Sequence, residues 1–282
     1  MNRTLRSTKE IEKSSGLHSM HWLVVIASLF LTLTAWYISK TQIEEKNLMR
    51  FERDAEQVME LIVERMHKYE DALWAGVATI KSQSHGIDAE EWARFASGLR
   101  IGKCYPGING IGVIYEVKPN KKEGFLQDER VMRPDFNIHP VHENGEYWPI
   151  TFIEPADINK QAVGLDMAHE VNRLTAAKKA RDTGEPQITA PIILVQDASK
   201  APGFLFYAPF YATKSPPPSA DRHAEFQGLV YAPFIMNKLL EGVLKQEKRM
   251  VNISIHDEET VLYNEHEEGA YDHDPDPLYR QF

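Results

Sequence analysis

Eighteen consecutive residues, Trp22 to Ser39 (W-L-V-V-I-A-S-L-F-L-T-L-T-A-W-Y-I-S), hold no charged side chain. As a helix rising about 1.5 Å per residue, this run just spans the hydrocarbon core of a bilayer. Trp22, Trp36 and Tyr37 then fall where interfacial anchors belong. Residues 1–21 hold Arg3, Arg6, Lys9 and Lys13 against two acidic groups, a net of +2. Basic flanks stay in the cytoplasm, so the N-terminus is expected inside and everything after Lys40 outside. A cleaved signal peptide is the rival reading, and the basic start suits it. The apolar run is longer than a usual signal core, however, and no small-x-small cleavage site follows, because Ser39-Lys40-Thr41 leads directly into a polar helix. An uncleaved, single-pass anchor in the inner cell membrane is the expectation.

From Lys40 to about Ser82 the chain has no Pro, and no Gly before Gly76. Phe51, Ala55, Val58, Ile62, Met66, Tyr69, Leu73, Val77 and Ile80 recur at steps of four and three that repeat every eleven residues. An eleven-residue repeat follows the natural turn of an α-helix closely, so it marks a nearly straight seam. The seam is expected to pack on the chain's own globular domains. The part near the membrane, around Phe51, Val58 and Ile62, is expected to pair with a second copy in a parallel dimer.

The remainder reads as mixed α and β. The chain's 282 residues suffice for two cores, and 43% hydrophobic with 26% charged residues is ordinary for a folded protein. The formal net charge is −9, so the part beyond residue 21 holds −11; an acidic ectodomain argues against nucleic acid and anionic lipid as partners. The single Cys104 rules out an intrachain disulfide and reads as a small buried apolar residue. Asp88-Ala-Glu-Glu91 predicts an N-cap with a carboxylate three residues on, opening a helix to Leu99. Strands are expected at Ile108–Val117, Tyr147–Ile153, Gln187–Val195, Gly203–Tyr211, Phe226–Phe234, Met250–His256 and Thr260–Tyr263. Helices are expected at Pro119–Met132, Met167–Arg181 (stopped at Gly184) and Ile235–Gln246. Strands in sequence-adjacent groups point to antiparallel α+β layers.

The most specific stretch is Glu154–Tyr211. It reads E-P-A-D-I-N-K-Q-A-V-G-L-D, then Arg173, then A-A-K-K-A-R-D-T-G, Q-I-T-A-P-I-I-L-V-Q and G-F-L-F-Y-A-P-F-Y. Upstream, Tyr105-Pro-Gly-Ile108 runs into N-G-I-G-V-I-Y-E-V. In this order, from Trp92 to about Phe234, the series resembles the CHASE domain, the extracytoplasmic ligand-sensing module of bacterial sensor proteins and plant cytokinin receptors. The resemblance implies an α+β fold in which a long stalk helix carries two PAS-like antiparallel units. The expected organisation is a cytoplasmic segment 1–21, a transmembrane helix 22–39 and a stalk helix 40–82. A membrane-distal PAS-like unit 83–234 and an incomplete membrane-proximal one, 235–282, follow. It also implies a sensor that binds a small molecule and signals as a homodimer, with no catalysis and no cofactor of its own.

Candidate ligand residues follow from the same resemblance. Asp157 lies eight residues before Leu165-Asp166, where the plant receptors grip the hormone's adenine ring; a carboxylate there could accept two hydrogen bonds from a planar donor edge. Alternatively it caps its own turn after Glu154-Pro155-Ala156. Thr189 matches a Thr on a pocket strand, or is a β-branched residue at home in a strand. Phe152, Tyr207 and Phe210 either line the pocket or pack the core. Ala176, Ala177, Lys178 and Lys179 stand where the plant receptors have an aliphatic wall, so a cytokinin is not expected and something smaller or more acidic suits. Gly164, Asp166 and Arg173 read as structural motif residues, the last two as an ion pair across a helix start.

Two other classes of function remain open: a periplasmic module that binds a protein partner beside a vestigial pocket, and a membrane-tethered metal-dependent hydrolase. The second would need the acidic, His-rich tail (His256 to Glu259, His266 to Glu268, His273-Asp274), since Pro140 breaks the His139-x-x-His142 pair and no third ligand is near. No G-x-S-x-G, H-E-x-x-H or phosphate-cradling glycine loop occurs. An output domain (histidine kinase, diguanylate cyclase or phosphodiesterase) is expected in a missing C-terminal part or a partner, because nothing after Tyr263 is apolar enough to return through a membrane.

Overall fold

Leu5–Ser82 is one uninterrupted α-helix, α1, in the computed structural model, which describes residues 5–83, 86–142, 145–195, 201–213, 216–244, 252–257 and 260–265. The segments 22–39 and 40–82, expected as separate anchor and stalk, are therefore one helix with no break at Lys40. By contacts the chain divides into two units, one holding α1 as far as Glu56 and the other beginning at Gln57 and taking in the rest of the described chain.

In the first unit the apolar side chains stand uncovered: Trp22 is 67% exposed, Phe30 69% and Ile38 51%. The polar residues among them look after themselves. Ser28, Thr32 and Thr34 donate their hydroxyls to the carbonyls of Val25, Ser28 and Phe30 one turn back. Such bonds to the carbonyl one turn back satisfy the hydroxyls within the helix itself.

The second unit is an antiparallel sheet sandwiched by helices. After the upper part of α1 come α2 (Ala89–Leu99), the single turn α3 (Ile101–Cys104), β1 (Ile111–Tyr115), α4 (Lys122–Met132), β2 (Ile150–Glu154) and the single turn α5 (Ala156–Asn159). Then follow α6 (Val171–Thr183), β3 (Gln187–Ile188), β4 (Ile192–Ile193), β5 (Pro202–Tyr211), the single turn α7 (Arg222–Glu225), β6 (Phe226–Ile235), α8 (Met236–Leu244), β7 (Ser254–Asp257) and β8 (Thr260–Asn264). The sheet order is β2-β1-β6-β5-β3, with β4 also on β5, and β7 and β8 form a separate antiparallel pair. The predicted capping box at Asp88 is present, the Asp88 side chain accepting from Glu91 N and the Glu91 side chain from Asp88 N. The predicted run Gln187–Val195 is two short strands instead of one, because Pro191 offers no ladder N–H between them.

Period-two alternation in β5 and β6 divides the core into two layers. Phe206, Phe210, Val230 and Phe234 look toward α1 and α2. Leu205, Tyr207, Leu229 and Tyr231 look the other way, toward α6. On the first side Tyr69 packs against Phe234 and Tyr105 and donates to Pro106 O. Gly76 is the point of closest approach: a Cβ there would lie 2.9 Å from Val230 Cγ1 and 3.0 Å from Trp92. The seam of α1 is buried at Val58, Tyr69, Leu73, Val77 and Ile80.

Two expectations need correction. Val58 is already covered within its own chain, at 6% exposure, because the second unit begins at Gln57, lower on the helix than expected. Cys104 is exposed, not buried: it ends the single turn α3, whose inward residue is Ile101.

Candidate functional site

The layer between the sheet and α6 is built by the most specific stretch of sequence. Gly164 has φ +81, and a Cβ there would sit 2.0 Å from Asn137 O, so the G-L-D tripeptide turns where only glycine fits. Asp166 follows, fully buried. Its Oδ1 accepts from Trp148 N at 2.7 Å and Ala168 N at 2.9 Å, and its Oδ2 lies 2.8 Å from His142 Nε2. A short 3-10 turn, Met167–His169, delays the helix, so α6 starts at Val171 and not Met167. Glu170 caps it, accepting from Asn172 N and Arg173 N. Gly184, at φ 73, ends it as predicted.

The expected Asp166–Arg173 ion pair does not form. Asp166 is taken by two backbone amides and His142, while Arg173 donates from Nη2 to Ile193 O at 3.0 Å and has Glu170 as its nearest carboxylate, 3.8 Å from Nε. Both residues hold the motif together, but separately.

α6 faces the sheet with Arg173, Ala176, Ala177, Ala180 and Arg181. Opposite, Tyr207 and Tyr231 are direct cross-strand partners, 0% and 1% exposed. Among the described residues, five buried polar side-chain atoms lack a hydrogen-bond partner: Glu146 Oε2, Trp148 Nε1, Arg173 Nε, Tyr207 Oη and Tyr231 Oη. Each belongs to a residue in this layer or at its edge, Glu146 through its ion pair with Lys178 of α6 and Trp148 through the Arg181 guanidinium over its ring. Burial pushes both phenols above the ordinary tyrosine range; each lies close enough to Arg173 for the guanidinium to offset part of that shift. Tyr231 also feels Tyr207. Two phenols and one guanidinium nitrogen thus belong to one buried layer, each with a hydrogen to donate and no hydrogen-bond acceptor in the protein, although Arg173 Nε is ion-paired with Glu170 at 3.8 Å.

The five sequence candidates separate. Tyr207 belongs to this group. Thr189 is buried on the same side, but its Oγ1 accepts from Leu205 N at 3.1 Å, fastening the loop between β3 and β4 to β5. Phe152 and Phe210 lie on the opposite side of the sheet, edge-on to Tyr115. Asp157 is exposed on α5. An open groove of about 370 Å³ between Arg133, Asp135, Asn137, His139 and Lys160 involves none of the five. Its Arg133 is already engaged with Thr151 O and Glu129 and lies over the rings of Phe136 and Phe152.

The family model of the CHASE domain matches residues 85–268, about two thirds of the chain. The chain belongs to the CHASE domain family. The partnerless layer lies inside the matched region, in a domain whose role is extracytoplasmic sensing and not catalysis. A search of curated proteins finds no significant match. No group of three metal-ligating side chains occurs among the described residues of this CHASE domain; His266 and His273 lie outside them.

Sequence reasoning missed Tyr231. The signal was there: Tyr207-Ala-Pro-Phe210 and Tyr231-Ala-Pro-Phe234 are the same tetrad, and β5 and β6 pair with their tyrosines opposite one another. A doubled tyrosine at the centre of two apolar strands places two hydroxyls in one core layer.

Proposed function

We propose that this chain is the input part of a membrane-anchored extracytoplasmic sensor that binds a small molecule between the sheet and α6. Tyr207, Tyr231 and Arg173 hold the ligand, and Thr189 stands at the margin. The observation that carries this reading is the set of three buried, partnerless donors inside a domain of a sensing family. An unpaired buried polar group costs about 1–3 kcal/mol, and a fold that keeps three together gains when something else pairs them.

The arrangement proposed is residues 1–21 in the cytoplasm, 22–39 across the inner membrane and 40–82 as a stalk. Residues 83–234 form the membrane-distal PAS-like unit, and a second PAS-like unit begins at residue 235. The uncovered apolar surface of α1 supports the anchor. Strands β5 and β6 supply the route of the signal: Tyr207 and Tyr231 face the ligand, and their strand neighbours Phe206, Val230 and Phe234 face α1. Movement of the two strands is thereby felt by the stalk, which acts as a homodimer through its lower part. Output belongs to another domain or protein.

The test is a thermal-unfolding screen of the full chain in detergent micelles against small metabolites, repeated on Tyr207→Phe. A ligand at 100 times its dissociation constant stabilises by about 2.7 kcal/mol. A compound that stabilises the parent clearly more than the variant supports the reading. Stabilisation undiminished in Tyr207→Phe, or none with any compound, refutes it.

A further inference from the structure

We propose that the open groove of about 370 Å³ beside Arg133 is a second ligand site, and that it takes a free α-amino acid with a short aliphatic side chain. None of Tyr207, Tyr231 and Arg173 lines it, so it stands apart from the layer under α6. Two stretches of chain form it: the one that follows α4, as far as His139, and the 3-10 turn Lys160–Ala162 with Val163 at its end. His139 joins the two. Its N–H donates to Gly164 O at 2.9 Å, its O accepts from Asp166 N at 2.8 Å, and its Nε2 donates to Val163 O at 3.0 Å. The groove has the size of a small-molecule site, and its wall is fastened to the G-L-D motif.

Charge narrows the class. Arg133 is already engaged, donating to Thr151 O and paired with Glu129. Asp135 and Lys160 are not. One is an anion and the other a cation, and both are exposed. Among the described residues neither has an ion pair or a side-chain hydrogen bond, with the other or with any third group. A ligand of one sign alone meets one of them favourably and the other unfavourably; a zwitterion meets both favourably. The neutral polar groups divide in the same way. Asn137 Oδ1 accepts from Arg130 Nη2 at 3.3 Å, which leaves the Nδ2 hydrogens to donate to a carboxylate. His139 Nε2 is committed to Val163 O, so Nδ1 of the neutral ring is an acceptor for an ammonium. Phe136 and Val163, packed together with Leu126 and Ile138, supply the apolar lining for a short aliphatic side chain. Because the groove is open to water, its ion pairs are partly screened and the affinity falls in the millimolar range.

The probe is L-valine, with isovalerate, which lacks the ammonium, and isobutylamine, which lacks the carboxylate, as its halves, and sodium chloride at matched ionic strength. The measurement is thermal unfolding of the full chain in detergent micelles by tryptophan fluorescence. It is made on the parent, Asp135→Asn, Lys160→Gln, the double variant and Tyr207→Phe. Valine at ten times its dissociation constant should raise the parent's Tm by about 3–6 °C, and neither half nor chloride should do so at the same concentration. Asp135 and Lys160 are exposed and unpaired, so their variants should melt with the parent when no ligand is present. Each should need roughly 2- to 5-fold more valine for the same shift, and the double variant roughly 4- to 25-fold more. Tyr207→Phe should respond to valine as the parent does; a response assigned to the groove by Asp135 and Lys160 leaves the sheet–α6 reading to the other compounds. A shift with isovalerate or isobutylamine equal to that with valine overturns the zwitterion assignment. A valine response unaltered in the double variant overturns the groove as its site. A response lost in Tyr207→Phe also overturns the groove, and supports the sheet–α6 layer instead. No shift with valine up to about 100 mM, far above a millimolar dissociation constant, overturns the proposal and leaves the sheet–α6 reading to its own screen.

Discussion

Asp166 offers the sharpest measurement of what the G-L-D motif does. Its carboxylate is completely buried and holds Trp148 N and Ala168 N through one oxygen and His142 through the other. Asp166→Ala leaves both amides in a protein interior with nothing to accept them, at about 1–3 kcal/mol each. The Ala168 amide is the one that caps the 3-10 turn leading to α6, so at about 2 kcal/mol for each of the two amides the total loss should be about 4 kcal/mol. For a domain of this size that corresponds to a fall in Tm of about 8–16 °C. Asp166→Asn places an amide oxygen where Oδ1 stood and can still accept from both amides, so its loss should stay near 1 kcal/mol, about 2–4 °C. The assay is thermal unfolding of the full chain in detergent, followed by near-ultraviolet circular dichroism, which reports on Trp148, tilted against Phe226 with ring centroids 5.0 Å apart. Two equally large losses would show that the negative charge beside His142, not the pair of amide bonds, is what the motif requires. Two losses below about 1 kcal/mol would show that water replaces the carboxylate and that the bonds are not structural.

Gly164→Ala should cost about 2–4 kcal/mol, combining a left-handed backbone with the close approach of Asn137 O; chemical denaturation measures it, and a loss below about 1 kcal/mol would mean the turn relaxes. Burial raises the carboxyl of Glu116 above its ordinary value, more than the neighbouring Arg181 lowers it. Its proton-linked stability is present in full below the unfolded-state pKa and is lost as pH rises through the higher folded one. On acidification through the carboxylate range, Tm should therefore shift in favour of the parent over Glu116→Gln; a constant difference would refute this. In a Cys104→Ser background, single cysteines at Leu48 and Phe51 should cross-link the anchored protein under mild oxidation, and those at Lys46 and Arg53 on the opposite face should not. Equal yields at all four would show that the lower part of α1 has no paired face.

The sequence determined most of what depends on near neighbours along the chain. The eleven-residue seam of α1, the Asp88 capping box, the Gly184 stop and the uncharged run at residues 22–39 are set by helix periodicity and terminus chemistry, which act within a turn or two. The ordered series of motifs sufficed to recognise the family. Tertiary structure decided what depends on which groups meet. Asp166 and Arg173 are seven residues apart, yet a 3-10 turn intervenes, and the amides of Ala168 in that turn and of distant Trp148 claim the carboxylate. Val58 and Cys104 exchanged their expected environments because burial depends on where another element arrives, which no local spacing encodes. Phe152 and Phe210 are as apolar as pocket residues must be, but strand parity in a particular register puts them behind the sheet. The same register sets Tyr207 against Tyr231, and packing of α6 adds Arg173. The candidate site exists only because three residues far apart in the chain are brought together with their donors left unpaired.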